Sequence, residues 1–193
     1  MANVSRIMGL RPVRHLSGSA WTGQTEAFAF LTTDATTAYV GDTVKFSGSG
    51  DANGLASITS ATADADLPNG VIVGFVPNYA NLNVPSTFRG ASVARTAFVI
   101  VDPTVVYEIQ ADAATTLADI GLNVGMNYTA GSSTTGLSAF TAKMSTKNTT
   151  STLPLKIIGV RQSPDQDMSD PTNWKLLVTL NTTVFSSAGT TGQ

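Results

Sequence analysis

Short apolar runs and alternating segments recur along the chain and predict β-strands. Glu26–Leu31 (EAFAFL) alternates so that Phe28 and Phe30 fall on one face, as in a half-buried strand. Val71–Phe75 is a continuous apolar run, which predicts a buried strand. Further strands are predicted at Thr43–Ser47, Ala56–Ser60, Ala94–Val101, Val105–Gln110 and Lys175–Leu180. Asp112–Gly121 begins with an Asp suited to an N-cap and ends at a Gly, and it predicts one short helix.

The stretch Val40–Val76 is echoed by Val124–Val160, because turn residues and apolar runs follow one another in the same order. The shared positions are Val40-Gly41 with Val124-Gly125, Gly54-Leu55 with Gly136-Leu137, Leu67-Pro68 with Leu153-Pro154, and Gly74 with Gly159. This echo predicts two related β-units, covering about residues 26–110 and 111–185, within a β-domain of residues 25–193.

Residues 1–24 are predicted to form an extended N-terminal arm. Pro12 excludes an ordinary helix interior, and glycines at positions 9, 18 and 23 interrupt the segment. The arm nevertheless carries six large apolar residues, which are Ile7, Met8, Leu10, Val13, Leu16 and Trp21. Either the arm lies across its own domain or it docks on a neighbouring chain. Docking is preferred, because termini that are not anchored are normally disordered.

The composition favours an all-β fold. Charged residues make up 12% of the chain, against roughly 25% in typical globular proteins. Abundant β-branched residues and Gly or Asn turns predict a β-sandwich or barrel, with the extended arm and at most one short helix. Such a fold is either jelly-roll-like or built from the two related small units. A weakly charged surface is poorly protected against association, so a partner or a symmetric assembly is expected.

The net charge is −2, but the charges are unevenly distributed along the chain. The three arginines of the arm precede the first acidic residue, Glu26, whereas only acidic residues are charged between Arg95 and Lys143. A basic arm and an acidic middle could pair between subunits or with a complementary scaffold. The alternative is that these are scattered, solvated charges that contribute little.

Residues suited to catalysis or metal binding are few. The chain has no cysteine, and its one histidine, His15, lies on the arm, where no rigid scaffold is expected to hold a carboxylate beside it. The stretch GDANG around Asp51 is typical of a tight turn and lacks the late Glu of a calcium loop. Asp165 and Asp167 lie in a polar loop flanked by prolines, which favours solvated side chains over paired catalytic carboxylates. The chain is therefore expected not to be an enzyme, with no catalytic residues, no cofactor and no metal.

Neither nucleic acid nor a membrane is expected as a direct partner. The arm arginines have only Trp21 nearby, whereas nucleic-acid binding needs a basic stripe with stacking aromatics. No apolar run reaches the ~20 residues of a membrane span. The first residues also lack the apolar core of a classical secretion signal.

Several stretches of the chain together resemble a known family. They are the opening MANVSRIMGLRPVRHLSGSAWTGQ, then VGDTVKFSGSGDANG, GVIVGFVPN, FVIVDPTVVYEIQ and the late LPLKIIGV. These stretches resemble the capsid decoration, or cement, proteins of tailed bacteriophages, which are small β-rich structural proteins found with the major capsid protein. The resemblance spans nearly the whole chain and includes no catalytic motif. It implies a virion protein, commonly a homo-trimer or homo-dimer, that is made in the host cytoplasm, binds the outside of an icosahedral capsid and stabilises it.

The leading hypothesis is a cement protein whose arm contacts the major capsid protein or a neighbouring subunit. The residues expected to make these contacts are Ile7, Leu10, Arg11, Arg14 and Trp21. The alternative is a receptor- or carbohydrate-binding β-module of a phage tail or surface appendage, which needs exposed aromatic residues that stack on sugar. Tyr79, Phe88 and Trp174 lie in or beside predicted loops and are the candidates for that role.

Overall fold

A computed structural model describes residues 3–79, 81–83 and 86–185. The remaining positions of the predicted arm and β-domain, which are residues 1, 2, 80, 84, 85 and 186–193, lie outside the described residues. Over the described residues the fold is almost wholly β, which confirms the predicted class. The strands are β1 (Arg11–His15), β2 (Glu26–Phe30), β3 (Ala38–Tyr39), β4 (Thr43–Gly50), β5 (Ala56–Ser60), β6 (Gly70–Phe75), β7 (Phe88–Arg89), β8 (Arg95–Ile100), β9 (Val105–Gln110), β10 (Asn123–Asn127), β11 (Thr141–Asn148), β12 (Leu155–Val160) and β13 (Lys175–Leu180).

The strands that the sequence pattern predicts are all present. The alternating apolar residues of β2 bury Phe28 and Phe30, and all six residues of β9 are buried. Strand β1 was not predicted, because its Pro12 and three charged or titratable side chains give no apolar alternation. The backbone of β1 nevertheless pairs with β9 along four residues.

The short helix predicted at Asp112–Gly121 is present only as a single 3-10 turn, at Leu117–Asp119, so its predicted bounds are too wide. Asp112 was expected to cap the helix, but its carboxylate accepts hydrogen bonds from the Met144 N–H and from the side-chain amide of Asn127, each at 2.8 Å. The Asp112 carboxylate therefore links two neighbouring strands, β10 and β11, instead of capping a helix. Tertiary hydrogen bonds override the local helix signal.

The first unit is a closed barrel of five strands in the cyclic order β2-β5-β4-β6-β8. Neighbouring strands are antiparallel except β2 and β5, which close the barrel through one parallel pair, Ala29 with Ser57. The barrel has its own core cluster, which includes Phe30, Val44 and Ile58.

The second unit is a six-stranded sheet in the order β1-β9-β13-β12-β10-β11. A parallel bridge pairs Ala142 of β11 with Ala111, the residue that follows β9, so β11 lies next to the end of β9. Strands β9, β11, β10, β12 and β13 therefore follow one another in the same cyclic order as β2, β5, β4, β6 and β8. The second unit repeats the topology of the first, with β1 added to the edge of β9.

The repetition extends to irregular features. A β-bulge lies just before Gly74 in the pairing of β6 with β8, and another lies just before Gly159 in the pairing of β12 with β13. The turns that end at Gly54-Leu55 and Gly136-Leu137 are each closed by a backbone hydrogen bond to the Leu carbonyl. The glycines that match in the two stretches therefore mark the same bulge and the same turn in each unit.

Two details of the repeat differ from the sequence prediction. Val124 lies on β10 at the position of Val44 rather than Val40, because Val44 and Val124 pair with the first residues of β6 and β12. In addition, β9 was assigned to the first unit but pairs with β1 and β13 of the second. Strand pairing is non-local, so the order of elements in the chain does not reveal it.

The two units are joined by a shared core and by a polar contact. The larger core cluster combines residues of β6 and β8 with most buried residues of the second unit. Asp64, between β5 and β6, reaches β10, where its Oδ1 accepts from the Met126 N–H at 2.9 Å and from the Tyr128 hydroxyl at 3.2 Å. Gly125 makes room for this approach, because a Cβ there would lie 2.2 Å from Asp64 Oδ2.

Candidate functional site

The N-terminal segment, residues 3–16, lies on its own chain, which corrects the preferred prediction that the arm docks on a neighbour. Strand β1 pairs antiparallel with β9, with Arg11 opposite Glu108 and His15 opposite Val105. Leu16 N–H then donates to the Thr104 carbonyl at 2.8 Å. The segment is an edge of the second unit rather than a free arm.

Asn3 anchors the start of this segment in the loop between β12 and β13. Its Nδ2 donates to the carbonyl oxygens of Asp167, Asp170 and Thr172 at 3.0, 2.9 and 3.0 Å. Its Oδ1 accepts from the Asp167 N–H at 2.7 Å, and its own backbone N–H donates to Asp170 Oδ2 at 2.9 Å. The loop that the sequence pattern predicts to be merely solvated therefore binds the chain start.

Gly9 and Leu10 cross the junction of the two units. Gly9 has a φ of +67°, and a Cβ there would lie 2.4 Å from the Cβ of Ser138, so the crossing requires glycine. Leu10 donates its N–H to the Gly41 carbonyl at 3.0 Å, and its side chain is 1% exposed. Leu10 is thus a core residue and does not reach the surface, contrary to its predicted role as a contact.

An apolar groove of about 510 Å³ runs beside this crossing. Its first wall comes from the N-terminal segment and the residues just after it, namely Met8, Leu10, Arg11, Pro12 and Trp21. Its second wall is formed by Val40, Ile72 and Val73 of the first unit and by Leu137 of the second. The groove therefore lies where the N-terminal segment and both units meet.

Two polar groups of this groove lack partners. The indole N–H of Trp21 is enclosed and has no acceptor among the described residues. Arg11 is exposed, and its guanidinium makes neither a hydrogen bond nor an ion pair within the described part of the chain. Arginine and tryptophan are enriched where proteins contact one another, so this groove is the candidate contact site.

The structure brings three of the five predicted contact residues, Leu10, Arg11 and Trp21, to the groove. Ile7 lies just before it and is 45% exposed. Arg14 is half-buried, and its Nη1 donates to the carbonyl of the next residue at 3.1 Å. Only Ile7 and Arg11 of the five are therefore fully available at the surface.

Further apolar side chains of the segment also face solvent. Val4, Ile7, Val13 and Leu16 are 61%, 45%, 40% and 52% exposed. We refer to these four exposed side chains and that of Arg11 together as the N-terminal face. The sequence shows that these residues are apolar, but it cannot rank their exposure, because burial depends on the pairing of β1 with β9.

His15 has a carboxylate neighbour that the sequence did not predict. Because β1 lies beside the turn between β8 and β9, His15 Nδ1 is 3.2 Å from Asp102 Oδ2 and 3.4 Å from Thr104 Oγ1. Burial raises the pKa of Asp102, but hydrogen bonds from Thr104 and the nearby His15 outweigh it and hold that pKa below its usual value. No described hydroxyl is bonded to the other ring nitrogen, so the pair lacks the nucleophile of a triad.

The other acidic candidates have structural partners. Asp51 Oδ1 accepts from two backbone N–H groups of its own turn at 2.9 and 2.8 Å, which confirms the tight turn. Asp165 pairs with Arg6 at 3.3 Å and with Lys175 at 3.4 Å. Across the described residues, no group of three or more His, Asp and Glu side chains is placed to hold a metal ion.

The three aromatic residues proposed for sugar stacking do not form a cluster that could stack on sugar. Tyr79 is 80% exposed, whereas Trp174 is 3% exposed and its indole N–H donates to the Asp170 carbonyl. The ring of Phe88 is already stacked on Tyr39, with centroids 5.5 Å apart. Trp174 is therefore a core residue, and Tyr79 alone is freely exposed.

Comparison of the chain with protein-family models, with curated proteins and with solved structures finds no match. In the part of the chain that the structure describes, no helix is long and apolar enough to cross a membrane. These comparisons therefore assign the chain to no family.

Proposed function

We propose that this chain is a structural virion protein that binds the outer surface of an icosahedral phage capsid and stabilises it as a cement protein. Its partner is the major capsid protein, and it acts on the capsid surface after synthesis in the host cytoplasm. It works as a homo-oligomer, either a trimer or a dimer. Two features support the proposal, namely the resemblance to capsid decoration proteins over nearly the whole chain and the N-terminal face.

The observation that carries the proposal is that the N-terminal face is both exposed and firmly held. Asn3 ties its start to the loop before β13, and the pairing of β1 with β9 holds its end. The apolar side chains of the face are nevertheless 40% to 61% exposed. A surface that is ordered before binding avoids the entropy loss of a free arm.

A cement protein needs many modest contacts across one shell rather than a single tight contact. The N-terminal face suits this requirement, because it offers scattered apolar side chains and one unpaired arginine, Arg11. Charged residues make up only 12% of the chain, which favours close packing of neighbouring copies.

Acidic substitutions on the N-terminal face test the proposal. Ile7→Glu combined with Val13→Glu places two charges in the contact and spares the core, because both residues are at least 40% exposed. We expect binding to undecorated capsids, measured by co-sedimentation, to fall at least about tenfold, since a buried unpaired charge costs several kcal/mol. Deleting residues 1–24 is not a fair test, because it removes the core residue Leu10 and strand β1.

Leu117→Glu is the matched control, because Leu117 is an apolar residue of the 3-10 turn with 64% exposure. This variant should bind capsids like the wild type. Undiminished binding by the Ile7→Glu/Val13→Glu variant would contradict the assignment of the face.

The copy number in virions separates the cement role from the alternative tail module. A cement protein should be present in hundreds of copies on the shell, whereas a tail part follows the low symmetry of the tail, with about six or twelve copies. Tyr79, at 80% exposure, is the one observation that favours the alternative. Glycan binding that Tyr79→Ala abolishes, together with a low copy number, would replace the cement proposal.

A further inference from the structure

The two related units differ at one strand edge. In the second unit, β1 covers the edge of β9 opposite Tyr107 and Glu108. In the shared register, Glu26 and Ala27 of β2 correspond to these two residues, because they pair with equivalent positions of β8 and β13. The first unit has no counterpart of β1 on β2 within the described residues.

The corresponding edge of β2 is open. Strand β5 pairs with β2 only at Ala29, and on the side away from β8 the backbone of Glu26 and Ala27 makes no hydrogen bond to any residue that the structure describes. Both residues are exposed, whereas Tyr107 is 0% and Glu108 4% exposed. Phe98, opposite Ala27 on β8, is 39% exposed. The edge thus combines free backbone groups with an exposed aromatic ring.

The edges of β1 and β11 carry features that prevent pairing, whereas the edge of β2 carries only one charged side chain, that of Glu26. Strand β1 has Pro12 and a bulge between Pro12 and Arg14, and β11 carries Lys143 and Lys147. Proline, bulges and lysines are the devices that keep exposed edges from pairing with another chain. The segment Gln24–Phe28 contains neither proline nor lysine, and its pairing with β8 has no bulge.

We propose that a second copy of the chain adds its own β2 to this edge, forming an antiparallel β2–β2 pair about a two-fold axis. Two identical edges related by a two-fold axis run antiparallel, which is also how β1 lies on β9. A two-fold axis perpendicular to the ribbon keeps each residue on the same face as its symmetry mate, so the axis passes through a pair of identical residues. With Thr25 opposite Thr25 of the second copy, each Glu26 lies opposite Gln24, and the two Glu26 carboxylates are diagonal neighbours instead of lying directly opposite each other. This register limits repulsion and places the second copy along the edge at Ala27, which Phe98 faces from β8.

The pair is small, with about four residues from each chain, whereas stable interfaces bury about 1,600 Å². Association is therefore concentration-dependent in solution and is strengthened where copies are held side by side on a shell. The inference rests on the proposed self-association, for which it names the interface. It does not rest on binding to the capsid.

Sedimentation of the full chain over a wide range of protein concentration tests the interface. The wild type should show a reversible dimer, or a larger oligomer that contains this pair. Ala27→Lys should raise its dissociation constant at least about tenfold, because the two-fold axis places two lysines at the edge. Thr25→Pro, which removes a backbone donor, should act in the same direction. Val13→Lys is the matched control, since it adds a lysine to the already protected edge of β1.

Amide hydrogen exchange supplies a second readout. Exchange at Thr25–Ala27 should slow as the protein concentration rises, while circular dichroism of each variant verifies that the fold is retained. A chain that is monomeric at every concentration overturns the inference, and so does an oligomer that neither Ala27→Lys nor Thr25→Pro weakens. A β2 dimer that fails to bind capsids would refute the cement proposal alone.

Discussion

Asp42 provides a sharp test of how the junction of the two units is built. Its carboxylate is 2% exposed, and its Oδ2 accepts from the Tyr39 N–H at 2.9 Å. Burial raises the pKa of Asp42 from 3.8 to about 6, although hydrogen bonds from Ser138 and Tyr39 act to lower it. An ionised Asp42 is therefore a cost to the folded state at neutral pH.

The size of this cost follows from the shift in pKa. A rise from 3.8 to about 6 is roughly two units, and one unit corresponds to about 1.4 kcal/mol, so ionised Asp42 costs about 3 kcal/mol. Because the folded state binds the proton more tightly, the free energy of unfolding falls as pH rises from about 4 to about 6 and then levels off. Asp42→Asn keeps the oxygen acceptor for Tyr39 and stays neutral. We expect it to raise the free energy of unfolding at pH 7 by up to about 3 kcal/mol.

Urea unfolding of the wild type and the Asp42→Asn variant, at several pH values between about 4 and about 7, measures this difference. The variant should lose the decline in stability between about pH 4 and pH 6 that the wild type shows, and the two should converge at the acidic end. Subtracting the two curves removes the contribution of other carboxylates. If the variant is less stable at pH 7 and keeps the same pH dependence, the buried carboxylate is not the origin of the effect.

Three further experiments test how the N-terminal segment and the two units are held. Asn3→Ala should weaken the anchoring of the segment by about 2–3 kcal/mol, because it leaves three partly buried carbonyls without their donor. Faster hydrogen exchange in β1 would reveal this loss, and unchanged exchange would contradict the anchor. Gly125→Ala should destabilise the fold by at least about 1 kcal/mol in thermal unfolding, because the added Cβ meets the Asp64 carboxylate. In the double variant, Asp64→Ala should relieve much of that loss, so additive effects of the two substitutions would refute the close approach of Asp64 to Gly125. Leu10→Ala should lower the free energy of unfolding by about 2–5 kcal/mol, whereas Ile7→Ala should change it by less than about 0.5 kcal/mol. Equal losses in urea unfolding would contradict the assignment of Leu10 to the core and of Ile7 to the surface.

Features that depend on a few neighbouring residues were predictable from the sequence. Strands β9 and β13 were predicted to their observed bounds, because short runs of apolar and β-branched residues suit buried strands wherever they pair. The turn at Asp51 was predictable because Asp, Asn and Gly satisfy backbone groups within the turn itself. Gly74 and Gly159 marked the repeat, because each lies at the same bulge of its unit.

The candidate site was only partly predictable, because it depends on contacts between residues that are distant in the sequence. The sequence singled out the N-terminal residues as functional, yet Leu10 is in the core and Trp174 is not a surface aromatic. Asn3 gave no signal, because its partners lie more than 160 positions away along the chain. Its role exists only after the loop before β13 has folded beside β9.

The sequence by itself determined that the chain is β-rich, that two stretches share the same order of turn residues and apolar runs, and that apolar residues are frequent among its first positions. Tertiary structure decided that β1 joins the second unit, that Asp112 holds strands instead of capping a helix, and that β2 keeps an open edge. Turn and strand preferences are local energies that each segment carries wherever it lies. Pairing, burial and edge exposure depend instead on which distant segments meet, and only the folded chain brings those segments together.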